Sequence, residues 1–232
     1  MKKQSPRKKR LYNKTVLNIV SGSIAAYKAG DLVQLLRQEG ARVICVMTES
    51  AKHFVTPLVL RALSGERVHQ DFFSPDSPYD VLHTSLAEEA DAILVSPASA
   101  DFIARLAAGM ADDLASCIIL AARKPIVVVP AMNDQMYSHP FTGRNLQTLR
   151  DAGYHIVDPI EGYLVCGKEA MGHISEDSAI LNTVVDVIAS PGANAPGPQC
   201  SAIRRTVIAS PGGAKQSAFK TRLLRRPPAS SQ

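Results

Sequence analysis

Short apolar runs rich in β-branched residues recur along the chain, and each is followed by a longer stretch with helical spacing. TVLNIVSG, from Thr15, ends in Ser-Gly and leads into SIAAYKAGDLVQLLRQEG, whose Gly40 suits a helix C-cap. ARVICVMT predicts the next strand and ESAKHFVTPLVLRALSG the next helix, closing at Gly65. A polar connection with two prolines, FSPDSPYDV, precedes the short helix HTSLAEEA. DAILVSPAS then predicts a strand, DFIARLAAGMADDLASCIILAA one helix, KPIVVVPAMN a strand, TGRNLQTLRDAG a helix, YHIVDPI a strand and EDSAILNTVVDVIAS a last helix. Continuous apolar strands separated by helices imply a parallel sheet covered on both faces. The pattern therefore predicts a doubly wound α/β fold, a Rossmann-like or flavodoxin-like three-layer sandwich over residues 13–190.

Composition sharpens this in three ways. With 232 residues and 46% hydrophobic content the chain can bury one ordinary core. The formal net charge of +5 suggests nucleic acid, but the basic residues concentrate in a tail over 1–12 and beyond residue 200, leaving the body near neutral. No nucleic acid and no membrane partner are expected. The basic start has no apolar stretch of signal-peptide length behind it, so a cytoplasmic location is expected. The four cysteines, Cys45, Cys117, Cys166 and Cys200, form no CxxC pair and have no companion histidine spacing. Reduced thiols and no metal site are expected. After Ser190 the composition changes to PGANAPGPQC, a Pro/Gly linker, and residues 191–232 carry too little periodic apolar sequence for a second core.

Chemistry in an open α/β sheet gathers at the carboxyl ends of the strands. Three turns there share one device, small or hydroxyl residues opening a helix: SGSIAAYK, VMTESAKHF with Thr48 and Ser50, and SPASADF with Ser99 and Ala100. Exposed N–H groups at such turns suit an anionic cofactor crossing the switch point. Taken singly, each also fits ordinary helix capping. PAMNDQMYSHP delivers Asn133 into the loop after a strand, and GYLVCGKEAMG holds Cys166 between an apolar run and a Gly-rich turn. His83 opens a short helix. Individually, Asn133 fits an Asx turn, Cys166 a packed thiol and His83 a cap or surface residue. No GxSxG elbow or HExxH pair is present.

In order and spacing, SGSIAAYK, HTSLA, SPASADFIARLAAGMADDL, PAMNDQMYSHPFTGRNLQTL and GYLVCGKEAMG resemble the homo-oligomeric flavin-containing cysteine decarboxylases, above all the phosphopantothenoylcysteine decarboxylases. The resemblance covers about residues 15 to 188. It implies FMN at Gly22, Ser23, Ile24, Thr48, Ser50, Ser99, Ala100, Asp101, Phe102 and Ala131. It makes His83 the active-site histidine and Asn133 the amide that grips a substrate carboxylate. Met136 joins it at the substrate, Tyr163, Leu164 and Val165 become the clamp, and Cys166 the proton-donating thiol. The implied reaction is decarboxylation of 4'-phospho-N-pantothenoylcysteine to 4'-phosphopantetheine in coenzyme A biosynthesis. The implied assembly is a homotrimer, or trimers built into a dodecamer, with FMN near subunit contacts.

The chain departs from the family pattern at Lys168, where an acid is usual, at Ala170 for glycine, at His173 for arginine and at Asp101 for an amide. Two alternatives stay open. Lantibiotic-type peptidyl-cysteine decarboxylases share the flavin site but typically lack the clamp cysteine, and non-enzymatic flavin-binding regulatory proteins usually carry long acidic tails. RRTVIASPGGAKQ, near the end, resembles the opening strand and Gly-rich loop of a phosphopantothenate–cysteine ligase domain. Residues 191–232 are nonetheless expected to be catalytically silent.

Overall fold

The computed structural model describes residues 9–72 and 81–190. Readings that fall on 1–8, 73–80 and 191–232 lie outside the described residues. Six parallel strands form one sheet in the order β3-β2-β1-β4-β5-β6. They are β1 (Thr15–Val20), β2 (Arg42–Met47), β3 (Val68–His69), β4 (Ala92–Ala98), β5 (Ile126–Pro130) and β6 (His155–Ile156). This is the Rossmann order rather than the flavodoxin one, and its switch point lies between β1 and β4.

The four longer strands, β1, β2, β4 and β5, read as apolar runs because each buries both faces. Val16, Val20, Val43, Leu94 and Val127 pack with α1 (Ala29–Gln38), α2 (Pro57–Ser64) and α8 (Asp177–Ala189), through Leu32, Leu36, Leu60, Ile180 and Val184. Their neighbours Leu17, Ile19, Ile44, Ile93 and Val128 point the other way. There they meet Leu86, Phe102, Ile103, Ile118 and Leu146 of α3 (Leu82–Glu89), α4 (Ala100–Ala107), α5 (Leu114–Ala121) and α7 (Pro140–Asp151). Alternate residues of one strand thus serve two cores.

Several element readings change. The stretch read as one helix over 101–122 is two. Gly109 takes φ +68° just past α4, where its N–H and that of Met110 bond back to Leu106 and Arg105. Asp113 then opens α5 with a capping box: its carboxylate accepts from the Ser116 N–H, and its own N–H donates to the Ser116 hydroxyl. The helices expected from Ser23 and Glu49 begin as short 3-10 turns, Ile24–Lys28 and Glu49–His53, before α1 and α2 follow. Gly40 does end α1, with Gly40 N–H on Arg37 and Ala41 N–H on Leu36. YHIVDPI supplies only the two residues of β6, and the edge strand β3 has no counterpart in the sequence reading. Packing begins before residue 13, since Leu11 is fully buried and Arg10 pairs with Glu39 at 3.2 Å.

GYLVCGKEAMG is more than a loop. It forms an antiparallel hairpin, β7 (Ile160–Tyr163) with β8 (Glu169–His173), and Cys166 lies in its turn.

Candidate active site

Backbone geometry draws the carboxyl ends of β1, β2, β4 and β5 together. Ser21 donates its hydroxyl to the Pro97 carbonyl at 2.8 Å and accepts the Ser99 N–H at 2.8 Å, stitching the β1 turn to the β4 turn. Gly22 permits the approach of the β2 turn, because a Cβ there would stand 2.4 Å from Ser50 Cβ. Ser23 caps the 3-10 turn and donates to the Ala131 carbonyl at 3.0 Å, tying β1 to β5. Two neighbouring cavities open along this edge.

The first, about 310 Å³, is lined by Gly22, Thr48, Ser50, Ser99, Ala100, Asp101 and Phe102, with Ser21, Glu49, Arg105, Asp113 and Met136 completing it. Ser99 accepts the Phe102 N–H as N-cap of α4, which leaves its own hydroxyl proton free to donate. Thr48 is buried, and its Oγ1 has no hydrogen-bond partner. A buried hydroxyl without a partner is costly and points to a missing ligand. The cation on this wall, Arg105, is already paired to Asp112 and to Asp113 (2.9 Å). An anion here is therefore met by hydroxyls and backbone N–H groups rather than by a free charge.

The second cavity, about 190 Å³, is walled by Ser23, Ile24, Ala131 and Asn133 on the sheet side and by Tyr163, Leu164, Val165 and Cys166 on the hairpin side. Asn133 caps the four-residue helix α6 (Asp134–Tyr137), and its Oδ1 accepts the Gln135 N–H at 2.9 Å. With the oxygen so held, the amide's N–H₂ is the group presented outward, and Nδ2 lies 3.7 Å from Cys166 Sγ. Asn133 is thus an Asx-type cap and a directed donor at once. The hairpin docks by backbone: the Met132 N–H donates to the Gly172 carbonyl at 3.2 Å, and a Cβ on Gly172 would stand 2.4 Å from the Met132 oxygen.

Lys28 and His173 also line this cavity and were not among the expected site residues. His173 Nδ1–H donates to the Ile174 carbonyl at 2.8 Å, so Nε2 faces Lys28 Nζ at 3.5 Å as an acceptor. Lys28 closes the SGSIAAYK motif and His173 replaces an expected arginine, which were the available signals. Met136, expected beside the clamp, lines the first cavity instead. His83 lines neither. It lies part-exposed on α3, edge-on to Phe72 with ring centroids 6.0 Å apart.

Comparison with known proteins places this arrangement. Residues 4–189 match the family described as Flavoprotein. The chain belongs to that family. It is 45% identical over 177 residues to the coenzyme A biosynthesis bifunctional protein CoaBC of Haemophilus influenzae, covering 76% of this chain and 44% of that protein. The chain thus spans less than half the length of the curated relative. Among solved structures it is similar to a PPC decarboxylase mutant complexed with pantothenoylaminoethenethiol, at 35% identity and TM-score 0.65, covering 74% of this chain and 96% of that one. It is also similar to SpaF, an FMN-dependent cysteine decarboxylase, at 30% identity and TM-score 0.69, covering 77% and 99%. Among the described residues no helix is long and apolar enough to cross a membrane, and no group of three or more His, Cys, Asp and Glu could hold a metal ion.

Proposed function

We propose that the chain is an FMN-dependent decarboxylase that converts 4'-phospho-N-pantothenoylcysteine to 4'-phosphopantetheine, and that the two cavities are its cofactor and substrate sites. The reading rests above all on one juxtaposition, the Asn133 amide held 3.7 Å from the Cys166 thiol across a cavity at the switch point. The unpartnered Thr48 hydroxyl, the free Ser99 proton and the α4 N-terminus fit a flavin monophosphate, and Gly22, Ser50, Ala100, Asp101, Phe102, Ser23, Ile24 and Ala131 shape the walls around it. FMN, when bound, supplies a two-electron acceptor for the substrate thiol and returns the electrons later, so the overall reaction is redox-neutral.

The protein's own residues supply the rest. Asn133, a neutral donor, orients the substrate carboxylate without a charge that would stabilise it against leaving. Once the thiol carbon is oxidised to a thioaldehyde, loss of CO2 leaves an ene-thiolate. Cys166 then gives a proton to the carbon that lost CO2 as the double bond is reduced. Tyr163, Leu164 and Val165 close over the substrate and exclude water. His83 belongs to this machinery through a neighbouring subunit in a trimer, or trimers assembled as a dodecamer. Cytoplasm is the compartment this role suits. The decarboxylase unit lies within 9–190, and a chain ending at residue 190 is expected to keep its flavin.

The test is direct. Purified protein should be yellow, release FMN on denaturation, and form CO2 and 4'-phosphopantetheine from phosphopantothenoylcysteine. Colourless protein that FMN cannot reconstitute overturns the cofactor assignment. Turnover only of a peptide ending in cysteine would favour the peptidyl-cysteine reading instead.

A further inference from the structure

We propose that Lys168 is a positioning residue: its ion pair with Asp134 latches the tip of the β7–β8 hairpin over the substrate cavity and so fixes how near Cys166 lies to Asn133. The inference rests on the functional reading above for its catalytic consequence, but not for the latch itself.

The hairpin has a fixed base and a loosely held end. At its base, Gly172 lies against the Met132 carbonyl and accepts the Met132 N–H. Toward the turn, Leu164 is buried, but Tyr163 is 74% and Val165 78% exposed, so apolar burial at that end rests on Leu164. The turn is closed internally, by Leu164 N–H on the Lys168 carbonyl at 2.8 Å and Gly167 N–H on the Leu164 carbonyl at 2.9 Å. Those bonds shape the turn without attaching it to the body.

Two polar contacts add to the buried Leu164 in making that attachment. One is the weak amide-to-sulfur contact of Asn133 with Cys166. The other is Lys168 Nζ on Asp134 Oδ2 at 2.8 Å, between residues 34 apart in sequence. Asp134 immediately follows Asn133 and begins α6, so the pair joins the residue next to the directing amide with a residue two places beyond the thiol. The Asp134 side chain is only 14% exposed, and the Gln135 side-chain amide also donates to Oδ2 at 3.0 Å. Asp134 is therefore the fixed half of the latch and Lys168, 50% exposed, the moving half. A carboxylate at position 168 would instead face Asp134 as a like charge.

Hydrogen–deuterium exchange on the full chain tests this without substrate. In Lys168→Glu, the amides of Leu164 and Gly167 should exchange about two- to fivefold faster, the scale of a part-exposed ion pair. Amides in α8 should not change. The swap Lys168→Asp with Asp134→Lys should bring tip exchange back toward the parent. Unchanged tip exchange in Lys168→Glu overturns the latch, and so does a swap that leaves the tip open.

The catalytic consequence has its own readout. In Lys168→Glu the product ratio should move toward the oxidised ene-thiol, with CO2 release retained and KM little altered. Exchange that responds in a protein unable to decarboxylate phosphopantothenoylcysteine would leave the latch standing and remove the functional reading. A responding tip with an unchanged product ratio would overturn the positioning role.

Discussion

Asn133 shows how a single side chain can hold a structural and a chemical job. Its oxygen caps α6 while its nitrogen faces the cavity, so the cap fixes the direction of the donor. Aspartate is an equally good N-cap, which makes Asn133→Asp a clean change of charge at constant local structure. The variant should fold and hold flavin yet lose decarboxylation by about a hundredfold or more, the scale of one misdirected transition-state donor, because a carboxylate would repel the substrate's own. Cys166→Ser separates the later step: CO2 release continues and the oxidised ene-thiol accumulates, as read by mass spectrometry of the products. Normal 4'-phosphopantetheine from Cys166→Ser would remove the thiol from the mechanism. Taken alone, each fitted a bland role, an Asx turn and a packed thiol, and it was the family resemblance that singled both out. Lys28 and His173 were harder to see, since the end of SGSIAAYK and a missing arginine are faint signals until the cavity brings the two within 3.5 Å of each other.

At the scale of elements, the hydrophobic pattern carried the strands well and the breaks between helices poorly. Four of the six sheet strands bury both faces, so they stand out as apolar runs. β3 and β6 have two residues each, too short for any period to register. The missed break between α4 and α5 lay in plain view as Gly109 and the Asp113–Ser116 pair, but the apolar spacing on both sides masked it. Asp113→Ala should therefore lower stability by about 1 kcal/mol in chemical denaturation, the usual cost of a lost N-cap. The edge strand β3 brings a pH response. Burial, and secondarily the charge of Arg67, lowers the His69 imidazole below its ordinary 6.5. Unfolding restores that value, so the unfolded chain takes up the extra proton; the contribution is full above 6.5 and is lost as pH falls through the folded pKa. The melting temperature should fall between about pH 7 and pH 5, and less steeply in His69→Gln. His155, also lowered by burial, accounts for part of the remaining slope.

For the whole molecule, the decisive observation is where His83 lies. The sequence resemblance puts it in the active site, yet it lines neither of the two cavities that hold Asn133, Cys166 and the hydroxyl turns. Sequence order places residues along one chain and says nothing of which residues meet between copies, so motifs alone do not say which cavity, if any, His83 serves. A symmetric oligomer resolves the mismatch if α3 of one subunit abuts the cavity edge of the next. Complementation then follows from counting. His83→Asn and Asn133→Asp should each be nearly inactive as pure assemblies. When the two are co-expressed, a site that takes its histidine from one subunit and its amide from the next finds both intact in about a quarter of random pairings. Recovery of activity to near that fraction, in a species that sediments as a trimer or larger, would place the site between subunits. Mixed assemblies as inactive as their parents would show that His83 serves its own chain or serves no catalytic purpose.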